Sequence, residues 1–257
     1  MMLVDVHAHM DFSEFGGKNI DIDAVMKRCI GRDVAAVVSQ GVNKESNRKV
    51  LELSSRYGII KAALGIYPTH CMEISEENID SEIGFIDSQL GQKKAIAVGE
   101  VGLDYKEIEP TEENKQRMKS ALRKFCELAK KHDVPIILHS RKAELDTIEL
   151  LSEMQMKKVI MHCFSGRSHL VKRVVDNGWF LSIPANITKL EHFQYIARDV
   201  PISQLLTETD SPYLSPTDEI NDPSNVIYAI RKIAQIKGLT EEETANIIYN
   251  NYQRMFL

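Results

Sequence analysis

The sequence predicts an α/β chain folded as a single-domain (β/α)8 TIM-type barrel with extra C-terminal helices. Three observations carry that prediction. Eight short runs rich in β-branched residues alternate with longer stretches of helical period. The runs are almost continuously apolar, as strands are when both faces of a parallel sheet are covered. The length, 257 residues, is close to the roughly 250 that one closed barrel takes. A doubly wound open sheet is the alternative, because periodicity does not show closure. No linker rich in Pro, Gly or Ser divides the chain, so residues 1–257 read as one domain.

In chain order the expected strands are Leu3–Val6, Val34–Ser39, Ile59–Leu64, Ala95–Val98, Pro135–Leu138, Lys158–Met161, Trp179–Ile183 and Gln204–Thr207. Between them lie amphipathic segments. In Asn114–Lys131, for example, Met118, Ala121, Leu122, Phe125, Leu128 and Ala129 share one face. Helix starts are marked by Ser75, Thr111 and Thr240, each a capping hydroxyl followed by first-turn glutamates. Two further helices, about Ser224–Lys237 and Glu241–Met255, follow the last strand.

Composition narrows the class. With 43% hydrophobic and 27% charged residues the chain is an ordinary globular sequence. No apolar run approaches the roughly 18 residues of a membrane span. The start, MMLVDVHAH, lacks a basic n-region and its apolar stretch stops at Asp5, so no export signal is expected. The cysteines (Cys29, Cys71, Cys126 and Cys163) are far apart and read as reduced thiols in the cytoplasm. The net charge of −5 argues against gripping nucleic acid through a broad basic face, although phosphate could still be held locally. Nothing implies an obligate protein partner.

The histidines point to chemistry. Of eight, His7, His9, His139 and His162 stand at the C-terminal tips of predicted strands, and Glu100 and Asp210 end two more. In a parallel barrel those tips converge on one mouth, where sites of this fold sit. His7 and His9 are two apart on a strand and so face the same way. The alternative is a set of core histidines bonded to neighbours. Six ligands exceed the three that a catalytic zinc takes. They suit two divalent ions about 3.5–4 Å apart with Glu100 bridging them. Zinc, manganese, magnesium or a similar ion would serve, and the nitrogen donors favour Zn, Mn, Fe or Ni over Mg. His70, in the GIYPTHC loop, lies at the correct end to touch substrate, whereas His132, His169 and His192 read as solvated or capping.

The motifs DVHAHMD, LGIYPTH, VGEVGLDY, LHSRKA, MHCFSG, ETDSPYL, NDPSNV and NYQRMF span nearly the whole chain. In that order the chain resembles the TatD-type metal-dependent deoxyribonuclease family, within the amidohydrolase-like barrels. The resemblance implies a metal-dependent hydrolase barrel that cleaves phosphodiester bonds in DNA. It places His7, His9, Glu100 and Asp210 at a first metal and Glu100, His139 and His162 at a second. Asp210 would take or orient the proton of the attacking water, the alternative being a cap for the turn at Ser211–Pro212. Arg141 and Lys142 would grip substrate phosphate, or else form a solvated helical turn. Arg167 is a weaker candidate of the same kind, and Tyr105 and Tyr213 could stack on a base or pack in the core. Three positions depart from the family pattern: Tyr67 where histidine is frequent, Ala185 for a usual glycine, and Ile220 for a common arginine.

Two other functions stay open. An amidase, lactonase or deacylase could use the same parts, although many such enzymes bridge their ions with a carboxylated lysine rather than a glutamate. A metal-binding protein without turnover is the other, and the intact set of six ligands weighs against it.

Overall fold

The computed structural model describes residues Met1–Leu257. Its centre is one parallel eight-stranded sheet in strict chain order. The strands are β1 (Leu3–Ala8), β2 (Val34–Gln40), β3 (Ile60–Leu64), β4 (Ala97–Asp104), β5 (Ile136–Arg141), β6 (Val159–Met161), β7 (Phe180–Pro184) and β8 (Leu205–Glu208). The helices are α1 (Ile22–Gly31), α2 (Lys44–Arg56), α3 (Pro68–Glu73), α4 (Glu76–Gly91), α5 (Glu112–His132), α6 (Glu144–Glu153), α7 (Ser168–Asp176), α8 (Glu191–Asp199), α9 (Val226–Lys237) and α10 (Glu241–Phe256). A small hairpin, Glu14–Phe15 with Lys18–Asn19, follows β1.

The ring closes between β8 and β1. Asp210 N–H donates to the His7 carbonyl at 2.9 Å, and His9 N–H to the Ser211 carbonyl at 2.7 Å. Lower down, the Thr207 hydroxyl donates to the Val4 carbonyl at 2.7 Å. Asp5, fully buried, accepts the backbone N–H of His7 and both the N–H and hydroxyl of Thr209. Its burial pushes the carboxyl pKa up, against those hydrogen bonds. A carboxylate side chain therefore stitches the seam of an otherwise backbone-paired barrel.

The expected packing holds. Met118, Ala121, Leu122, Phe125, Leu128 and Ala129 are all buried on α5, and one continuous apolar cluster runs from Leu3 to Met255. Ser75, Thr111 and Thr240 are the N-caps of α4, α5 and α10, the last in a full capping box with Glu243. The clearest difference from the sequence reading is β4. It was expected to stop at Val98 but continues to Asp104, paired with β5 from Val101↔Leu138 to Asp104↔Arg141.

Candidate metal centre

Two register shifts aim the ligands. Along β1 the partners run from Asp5↔Val37 to Ala8↔Ser39, three steps against two. Along β4 they run from Val98↔Ile136 to Val101↔Leu138, again three against two. Each strand thus carries one extra residue, a bulge of the kind that re-aims a side chain. One bulge brackets His7 and the other brackets Glu100.

All six expected ligands meet at one end of the barrel. Glu100 Oε2 lies 3.6 Å from His7 Nε2 and 3.5 Å from His9 Nε2. Its other oxygen, Oε1, lies 3.1 Å from His139 Nδ1 and 3.9 Å from His162 Nε2. Asp210 Oδ1 is 3.5 Å from both His7 Nε2 and His9 Nε2. The six form two clusters, His7–His9–Asp210 and Glu100–His139–His162, with one oxygen of Glu100 turned to each, and Glu208 makes a third with His7 and His162.

These residues fit divalent cations. Ligand atoms about 2.0–2.2 Å from a tetrahedral ion lie roughly 3.3–3.6 Å from one another, close to most of the separations here. Both ring nitrogens of His7 are buried without a hydrogen-bond partner, and such orphaned groups cost about 1–3 kcal/mol each unless something satisfies them. A cation in the first cluster would satisfy one.

Electrostatics agree. Burial, then the neighbouring imidazoles of His162, His9 and His139, holds His7 well below the usual histidine range. Burial also opposes charge on Glu100, but His139, then His162 and His9, outweigh it and hold its carboxyl at about 2. For His162, burial is outweighed by Glu208, which lifts the imidazole to about 10. His9 and His139 are also raised: burial opposes this, but Asp210 and Glu100 outweigh it at His9, as Asp104 and Glu100 do at His139. Carboxylates here stabilise positive charge at the imidazoles, as they would stabilise a cation bound between them.

Behind the ligands stand acids that strand-tip reasoning missed. His162 Nδ1 donates to Glu208 Oε2 at 2.9 Å, and His139 Nε2 donates to Asp104 Oδ2 at 2.9 Å. Glu208 also accepts from Ser182 and from the Cys163 N–H. The signal lay in the motifs GEVGLDY and ETDSPY, each holding a second acid, but sequence alone does not reveal which face that acid takes.

The mouth above is a cavity of about 1220 Å³, lined by Glu100, His139, His162 and Asp210 among others. His70 also lines it, with Nδ1 donating to the Val42 carbonyl at 2.9 Å. Arg141 lines it too, paired with Glu107 at 3.2 Å. Lys142 follows at φ 58° and is exposed, outside the lining set. His192, expected to be solvated or capping, lines the mouth and donates Nε2–H to the Phe164 carbonyl at 3.0 Å. Tyr213 is on the rim, edge-on to Phe12 and Phe15. Tyr105 instead donates to Asp146, and Arg167 lines a separate cavity of about 540 Å³ between α7 and α8. Asp210 is not a side-chain cap: Tyr213 N–H bonds to its backbone carbonyl at 2.9 Å.

A closed parallel barrel with imidazoles and acids converging on its C-terminal mouth places the chain among the metal-dependent hydrolases. Within that class the chain belongs to the TatD related DNase family, whose model matches residues 4–257. It is 31% identical over 263 aligned positions to the human deoxyribonuclease TATDN3, covering 99% of this chain and 94% of that one. It is 30% identical to the metal-dependent hydrolase YabD of Bacillus subtilis, covering 99% of each. Among solved structures, the TatD homologue YJJV of Escherichia coli superposes with a TM-score of 0.86 at 25% identity, covering 99% of this chain and 97% of that one. No helix is long and apolar enough to cross a membrane.

Proposed function

We propose that this protein is a deoxyribonuclease that hydrolyses phosphodiester bonds with two divalent cations. His7, His9, Glu100 and Asp210 would hold the first and Glu100, His139 and His162 the second. The observation that carries the reading is Glu100, whose two oxygens are turned to different imidazole pairs. When bound, such ions lower the pKa of water toward 7 and offset charge building on the phosphorus. Asp210 is the acid of the centre most open to the mouth, with side-chain exposure of 15% against 4% for Glu100. It is therefore the group that orients the attacking water and accepts its proton. Arg141 supplies positive charge at the rim for a backbone phosphate, the exposed Lys142 adds charge from outside the lining, and His70 faces the same space. The enzyme works in the cytoplasm on DNA held locally at the mouth, without a membrane or an obligate protein partner.

The test is a side-by-side assay of metal-stripped and metal-restored protein on DNA oligonucleotides and on a panel of small amides and esters. DNA should be cut only by the restored protein, and Asp210→Asn should lower turnover at least a thousandfold with the circular dichroism spectrum unchanged. A thousandfold is about 4 kcal/mol of lost transition-state stabilisation. Turnover of an amide at rates far above DNA would replace this reading with an amidohydrolase one.

A further inference from the structure

His139 and His162 serve the same cluster through different nitrogens. Glu208 holds Nδ1 of His162, so that ring offers Nε2. His139 is held at Nε2 and offers Nδ1 to Glu100 Oε1 at 3.1 Å. The cause lies in two residues outside the cluster. Asp104 is fully buried at the end of β4. Its Oδ1 accepts the backbone N–H of Lys106 and of Glu107, both at 2.8 Å, so its own turn fixes the carboxylate plane. Oδ2 then faces His139 Nε2 at 2.9 Å and the Tyr67 hydroxyl at 3.2 Å.

A carboxylate only accepts hydrogen bonds, so both partners must point their protons at Oδ2. With a cation held between Nδ1 and Glu100, the one proton left on His139 sits on Nε2, facing Asp104. Tyr67 adds a second donor and a wall. Its ring packs on the imidazole with centroids 4.7 Å apart, and its hydroxyl is 3.1 Å from Nε2. Its backbone is tied down as well, its N–H bonding to the Val42 carbonyl at 2.8 Å just ahead of Pro68 at the start of α3. This hydroxyl is spent on Asp104 and not on substrate.

We infer that Tyr67 and Asp104 are a positioning pair that selects the Nδ1 face of His139 and so sets the affinity of the cation held with Glu100 and His162. The inference rests on the two-cation reading of the mouth, and it assigns Tyr67 a role on one side of the centre only. The His7–His9–Asp210 side has no contact with either residue through the bonds that define the pair.

The experiment uses the full chain, stripped of metal, labelled with 15N-histidine and reloaded with 113Cd. Couplings are assigned with His139→Gln, and calorimetric titration with zinc gives the two affinities. The wild type should bind two ions, with His139 coupled to cadmium through Nδ1 and His162 through Nε2. Tyr67→Phe keeps the ring and removes only the hydroxyl; it should weaken one ion about three- to tenfold and leave the other unchanged. Asp104→Asn should weaken the same ion by about 10- to 100-fold and disturb the Nδ1 coupling. The proposal is overturned if Tyr67→Phe binds both ions as the wild type does, if both sites weaken together, or if wild-type His139 couples through Nε2. A wild type that binds no cation removes the two-cation reading itself, a separate and recognisable result.

Discussion

Glu100 is nearly fully buried and still ionised, a state that buried carboxylates reach only when opposite charge faces them. Three imidazoles, those of His139, His162 and His9, supply that here, and four carboxylates (Asp104, Glu100, Glu208 and Asp210) stand in the centre or directly behind it. Once the imidazoles act as neutral ligands, two divalent cations would balance those four charges. Arg141 is different in kind, exposed and paired with Glu107 at a distance that solvent screens. On the proposed reading its value lies in substrate capture. Arg141→Ala should raise KM for DNA, leave kcat within about twofold, and reduce the slope of binding against log salt by about 1. An unchanged salt slope would leave Arg141 as a solvated side chain at the end of β5. The convergence of the six residues was legible in the sequence because each falls just past the end of an expected strand, although β1, β4 and β5 run on through His7, Glu100 and His139. Asp5, Asp104 and Glu208 were not, because their roles depend on which way a buried acid turns, and period-two alternation breaks at the bulges.

At the scale of elements, β4 explains why the sequence reading stopped short. GEVGLDY looks like a strand dissolving into a turn, since glycines weaken strands. The structure uses Gly102 to keep the strand going. Its φ is 149°, and a Cβ there would lie 1.9 Å from the His139 carbonyl oxygen. Glycine is what lets β4 press against β5 at the ligand. Gly102→Ala should therefore push His139 out of register and lose activity by more than tenfold, while cation binding at the His7–His9 side persists. Full activity in that variant would show that the close approach is dispensable. The caps at Ser75, Thr111 and Thr240 were legible because capping is local chemistry within four residues. Contacts between helices were not, since they join residues far apart. Asp87 on α4 accepts from Lys131 and His132 at the end of α5, and these two bonds lower its pKa despite slight burial. A depressed carboxylate stabilises the fold above the unfolded value of about 3.9, and that contribution disappears as pH falls through the lower folded value. Asp87→Asn should thus cost a few tenths of a kcal/mol at pH 7. In urea titrations the gap between variant and wild type should narrow as pH drops below about 4.

Across the whole molecule, the metal mouth and the closure of the barrel are the same region. His7 lies on β1 and His9 just past its end, Asp210 follows β8, and the two hydrogen bonds at the top of the seam involve the backbones of all three. Any group that draws His7, His9 and Asp210 together therefore also holds the first strand to the last. Cations that bind the folded mouth and not the unfolded chain should stabilise it by mass action, by about 4 kcal/mol at a thousandfold excess over Kd. For a chain of this size that corresponds to a Tm shift of roughly 10 °C. Calorimetric scans of metal-loaded protein with and without chelator should show that loss. Amide exchange should rise first at His9 and Asp210, the donors at the top of the seam, rather than in α5. His7 N–H and Thr209 N–H, which donate to Asp5, should stay protected, because Asp5 closes the lower seam without metal. A Tm that chelation leaves unmoved, in protein shown to have lost its metal, would separate the site from the seam and leave Asp5 and the backbone bonds as the whole of the closure.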